Sequence, residues 1–117
     1  MSFALGTAVT TSQPTILFDG DGSFLMHVQE LETTRRLRQP LISCIFNDGG
    51  YAPEFHKLRA EGIRQDGANF GYSDLFRIAE GFGIKGYRID NLVQLHEALS
   101  DLSKTPTAAV SDIRVSP

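Results

Sequence analysis

The chain has 117 residues, 41% of them hydrophobic and 21% charged, with a net charge of −3, which fits one globular domain and leaves too little chain for two cores. No run approaches the roughly 18 apolar residues of a membrane span. The opening residues lack the basic start of a signal peptide, and no basic face with interleaved aromatics speaks for nucleic acid.

In chain order, residues 3–12 are rich in Ala and Thr and predict weak helix at best. Residues 15–18 form a short apolar strand after Pro14, and the acid-glycine turn Asp19, Gly20, Asp21, Gly22 follows. Ser23 is a good N-cap for an amphipathic helix with Phe24, Leu25, Val28 and Leu31 on one side, closed by Pro40. The arginines Arg35, Arg36 and Arg38 suit the negative end of that helix. Residues 41–46, LISCIF, are a continuous apolar run, as in a strand covered on both faces, and Asn47, Asp48, Gly49 and Gly50 make a second polar turn. Cys44, the single cysteine, lies in that strand; it excludes an internal disulfide and fits packing in a reducing, cytoplasmic setting.

From Tyr51 to Tyr72 no long period holds, apart from a helical turn around 53–60, and a loop of that length in a small domain is usually functional. Ser73 then caps a helix with Leu75, Ile78, Ala79 and Phe82 at helical spacing, stopped by Gly83. A short strand occupies 86–89. Asn91 and Gln94 predict a capping box for a helix turning Leu92, Leu95, Leu99 and Leu102 inward, and 108–115 forms a last strand.

Strands and helices thus alternate, which predicts a mostly parallel sheet in an α/β domain with helices on both faces. Ligands of such sheets sit beyond the carboxyl ends of the strands, where both acidic turns lie. Glycine-rich turns that enter a helix offer unpaired N–H groups to phosphate, and a carboxylate beside phosphate suits Mg²⁺. Either turn alone is a generic structure. If the two strands are neighbours, Asp21 and Asp48 can share one ion.

The run GDGSF, then Gln29 and Glu30, then a strand ending in Asn47 and Asp48 resembles the diphosphate-binding domain of thiamine diphosphate enzymes, in the acetolactate synthase and 2-oxo acid decarboxylase branch. The likeness runs from Phe3 to about Val115, including FGIKGYRI and LHEAL. It implies a three-layer thiamine diphosphate-binding fold, truncated at its N-terminal side, with thiamine diphosphate and Mg²⁺ as cofactors. Asp21, Asp48 and the Gly50 carbonyl would then hold the metal. Gly22 and Ser23 would meet diphosphate oxygens, and Gly20, Asn47 and Tyr51 would complete the cofactor-contacting set. Glu54 would be the acid near the substrate. Asp48 departs from the usual second asparagine and keeps the hard oxygen while adding charge.

The resemblance further implies a 2-oxo acid substrate, a homo-oligomer, and a separate pyrimidine-binding domain that supplies the glutamate activating the cofactor. The single diphosphate domain 1–117 would be a fragment, inactive alone. Two other readings of the same residues stand beside this one. A haloacid-dehalogenase-type phosphatase would use Asp19 as nucleophile and Asp21 as general acid, but the second strand ends in Asn47, and Ser111 with Asp112 makes no acidic pair. The third reading is a non-catalytic module with the fold and no chemistry. His56, Lys57 and Arg59 read as surface loop residues, and His27 and His96 make no metal pair.

Overall fold

A computed structural model describes residues 1–116. Strands β1 (Thr15–Gly20), β2 (Leu41–Asn47), β3 (Lys85–Ile89) and β4 (Ala109–Arg114) form one sheet in the order β1-β2-β4-β3, and every neighbouring pair is parallel. Helices α1 (Ser2–Thr11), α2 (Asp21–Met26), α3 (Glu30–Arg36), α4 (Ala52–Ala60), α5 (Leu75–Gly81) and α6 (Leu92–Lys104) connect and cover the strands. The α/β class and parallel sheet agree with the reading of the sequence. Residues 2–11 are fully helical, burying Ala4, Leu5 and Ala8.

The connections from β1 to β2 and from β2 to β3 both step across the sheet in one direction, and the return from β3 to β4 reverses it. With right-handed crossovers the first two must lie on one face and α6 on the other. The packing agrees. Phe24, Leu31, Leu75, Ala79 and Ile84 bury Ile45 and Val110 on the first face, while Leu102 covers Ile42, Cys44 and Ala109 on the second.

Three local expectations fail for identifiable reasons. The helix expected over 23–38 is two helices. The His27 ring nitrogen lies 3.0 Å from the Ser23 carbonyl, and the His27 N–H turns instead to Phe24, so a side chain replaces the backbone bond that would carry the helix on. Helix α2 begins at Asp21, with Gly20 in the cap position, so Ser23 is inside the helix. Ser73 likewise yields the cap position of α5 to Asp74, because the Ser73 carbonyl is occupied by Asn47 and Arg114.

Helix α6 starts as expected, with Asn91 Oδ1 accepting from the Gln94 N–H at 3.0 Å, although Gln94 reaches back to the Asp90 N–H and not to Asn91. Its apolar stripe is only partly inward. Leu102 and Ala98 are buried, whereas Leu92 and Leu99 are 73% and 48% exposed.

Phe24, fully buried immediately after the first acidic turn, ties α2 to the core. Phe24→Ala should cost about 3–5 kcal/mol, read as a lowered urea midpoint at constant slope.

Candidate functional site

Parallel pairing sets Gly20 opposite Phe46, so the two acid-glycine turns leave adjacent strands at the same level. The Asp21 side chain bridges them: one carboxylate oxygen accepts from the Gly22 N–H and the other from the Gly49 N–H, each at 2.9 Å. Asp21 is buried. In the second turn the Asp48 carboxylate accepts from the Gly50 N–H at 3.1 Å.

Glycine is required where the turns crowd. A Cβ on Gly22 would lie 2.4 Å from the Tyr51 ring, and one on Gly50 would lie 2.5 Å from the Ala68 carbonyl. Gly49 has φ +82°, a conformation that disfavours other residues. The loop after α4 folds back onto this turn: Phe70 and Gly71 donate to the Gly49 carbonyl, and Tyr51 donates to Ala68. None of these bonds uses the Gly50 carbonyl.

Between the turns lies an open cleft of about 250 Å³ lined by Gly20, Asp21, Gly22, Ser23, Asp48, Gly50, Tyr51 and Glu54. It brings together every residue that the family resemblance assigns to the cofactor, metal or substrate except Asn47. Phe46 and Pro53 also line it; Phe46 escaped notice because it closes an apolar strand and reads as core, yet it is 44% exposed.

Asn47 points the other way. Its amide donates to Asp112 at 2.7 Å and to the Ser73 carbonyl at 2.9 Å, on the side of the sheet where Asp112 also accepts from the Leu75 N–H at 3.0 Å. Its role in this structure is to lock the end of β2 to β4 and α5, directly before Asp48. Asp112, an acid between Val110 and Ile113 in the AVSDIR strand, is the sequence signal for this network. Ser23 lines the cleft while its hydroxyl donates to Asp19 at 3.1 Å. Asp19 also accepts from the Gly20 N–H and does not line the cleft, so it is not placed as a nucleophile.

The whole chain compares well with known proteins. Residues 1–113 match the model of the thiamine pyrophosphate enzyme C-terminal TPP binding domain. That match decides the family. The chain belongs to the thiamine pyrophosphate enzymes, as a C-terminal TPP-binding domain.

Acetolactate synthase of Bacillus subtilis is 30% identical over 116 residues, covering 98% of this chain and 20% of the relative. A probable acetolactate synthase large subunit of Methanococcus aeolicus is 31% identical over 118 residues, covering 97% and 20%. Among solved structures, the thiamine diphosphate-dependent 4-hydroxybenzoylformate decarboxylase of Rhodococcus jostii shares the fold with a TM-score of 0.85 at 20% identity, over 97% of this chain and 22% of that one. The chain therefore spans about a fifth of the length of the curated relatives it matches.

The donor set suits the metal and diphosphate that a TPP-binding domain implies. Among the described residues no three His, Cys, Asp or Glu side chains cluster, so a cation here would take Asp21 and Asp48 and complete its shell from a backbone carbonyl, phosphate and water. Mg²⁺ is commonly held that way. Burial, opposed by the two N–H bonds and helped by the Asp48 charge, pushes the Asp21 carboxyl above the ordinary aspartate range. Two carboxylates facing one cleft, one of them buried, form a place where positive charge is favoured.

The crowding at Gly50 is against backbone, which cannot swing away. Gly50→Ala should lower stability by about 1–3 kcal/mol, whereas Gly67→Ala, whose Cβ would meet nothing within 4 Å, should stay within about 0.5 kcal/mol; paired thermal melts check this.

Proposed function

We propose that this TPP-binding domain holds the diphosphate of thiamine diphosphate through Mg²⁺, as part of a cytoplasmic, acetolactate synthase-like enzyme that decarboxylates or joins 2-oxo acids. The observation that carries this reading is the cleft that Asp21 and Asp48 both line together with Gly20, Gly22 and Ser23. Thiamine diphosphate, when bound, supplies an electron sink next to the substrate carbonyl.

The chain's own residues then have separate tasks. Asp21 and Asp48 ligate the cation with the Gly50 carbonyl, and the Gly22 and Ser23 backbone faces diphosphate oxygens. Tyr51, packed against Gly22 and edge-on to Phe70 at 5.3 Å, fixes the wall of the cleft. Asn47 acts from behind by anchoring the strand that carries Asp48. Glu54, in the first turn of α4 and on the cleft wall, is the acid available to a substrate. A pyrimidine-binding domain provides proton transfer at the other end of the cofactor, within a homo-oligomer, and the chain alone has no turnover of 2-oxo acids.

Thermal melts of the chain with millimolar thiamine diphosphate and Mg²⁺ should show a rise of about 3–6 °C only when both are present, abolished by Asp21→Ala. No rise under any combination would leave the non-catalytic module as the reading of this chain.

The same melts carry a pH signature. With its folded value raised, Asp21 contributes stability that is fully present below its unfolded value and is lost as pH rises through the folded one. A cation competes with that proton. The Mg²⁺-dependent rise should therefore be full near neutral pH and shrink as pH falls through the raised Asp21 value, earlier than an ordinary carboxylate would dictate. A rise that is flat down to about pH 4 would show that the Asp21 carboxyl titrates in the ordinary range and is not raised by burial.

A further inference from the structure

Helices α3, α5 and α6 each end just before a strand begins, so their last turns gather at the amino edge of the sheet, opposite the cofactor cleft. Between them lies an open cavity of about 490 Å³ that shares no residue with that cleft. Its floor is apolar, built from Ile84, Ala108, Pro40 and Pro106. Its walls carry three cations, Arg35, Arg38 and Lys85, and no carboxylate.

Cations at helix ends ordinarily answer the negative end of the macrodipole, but backbone groups already occupy those carbonyls. The N–H groups of Arg38 and Gln39 donate to Arg35 and Thr34, each at 3.1 Å, and close α3. Those of Gly83 and Ile84 donate to Glu80 and Ala79, each at 2.9 Å, and close α5. Among the described residues Lys85 bonds Asp101, Arg35 lies 3.8 Å from Glu32, and Arg38 has no charged partner. Neither of those acids lines the cavity.

Both closures place a residue in the left-handed region, Gly83 at φ +76° and Arg38 at φ +51°. Glycine is the usual occupant of that place because a Cβ is strained there. The arginine therefore costs stability that glycine would not, and what it adds is a guanidinium on the cavity wall. Arg35 is held beside it, its Cδ 3.3 Å from where a Cβ on Gly83 would stand.

We propose that this cavity binds a small phosphate monoester with an apolar ring, the phosphate among Arg35, Arg38 and Lys85 and the ring on the Ile84 and Ala108 floor. Three cationic donors match the three terminal oxygens of a phosphate monoester, whereas a carboxylate presents two. The volume and the pairing of an apolar floor with a few polar groups are those of small-molecule pockets. The site is independent of the cofactor cleft, so its occupancy is read without cofactor or metal.

Titration of the chain with phenyl phosphate at low salt should shift the amides of Arg35, Arg38, Gly83, Lys85 and Thr107 and leave the Asp21 and Asp48 turns unmoved. Phenol and inorganic phosphate, each carrying half of the recognised chemistry, should bind about tenfold more weakly or worse. Arg38→Gly separates binding from folding: it should raise the melting temperature by about 2–4 °C while weakening phenyl phosphate about tenfold or more. Arg38→Ala, which keeps the strained conformation without the cation, should bind as weakly with no such gain in melting temperature. Absence of shifts at the amino edge would overturn the proposal. So would equal affinity for inorganic phosphate, or phenyl phosphate binding that survives intact in Arg38→Gly.

Discussion

The parallel pairing of β1 with β2 is the constraint on which the candidate site depends. It brings two turns that are separated by a whole crossover to one level, and the buried Asp21 carboxylate then ties them by accepting an N–H from each. Two backbone bonds orient Asp21 without using all of a carboxylate's acceptor capacity, which extends to about four lone-pair directions. Burial makes its charge costly and holds its carboxyl above the ordinary aspartate range.

Support for the second turn comes from behind the sheet. Asn47 is fixed by Asp112 and the Ser73 carbonyl, and Asp112 also holds the start of α5 through the Leu75 N–H. Arg114 closes the group with bonds to Ser73 and Asp74 at 2.8 and 2.9 Å. This network aligns the ends of β2 and β4 and the start of α5. From the front, the folded-back loop grips the Gly49 carbonyl. Asp48 thus sits between two restrained segments, on the wall of the cleft that Asp21 also lines.

Much of this was legible in the sequence because it rests on local signals. Apolar runs followed by acid and glycine mark strand ends, and their spacing across one helix pattern marks neighbouring parallel strands. What escaped depends on partners distant in the chain. The Leu92, Leu95, Leu99 and Leu102 stripe shows that α6 has an apolar side, but periodicity does not say whether anything covers it. Ile16 and Phe18 read as core for the same reason. Asn47 reads as part of the cofactor-contacting set by its place beside Asp48, whereas its bonds to Asp112 and Ser73 depend on strand alternation and on an acid on β4, far away in the chain. His27 ended a helix through a ring-to-carbonyl contact that helix propensity alone does not register.

The most direct test of a shared cation is a double-mutant cycle on Mg²⁺ affinity, measured by calorimetry at saturating thiamine diphosphate with Asp21→Ala, Asp48→Ala and both, since alanine removes the oxygen donor that asparagine would keep. If the two carboxylates hold one ion, the first substitution forfeits most of the binding, and the double variant should be no more than about tenfold weaker than the worse single one. Losses that multiply independently, or a full affinity retained in either single variant, would contradict a common metal site.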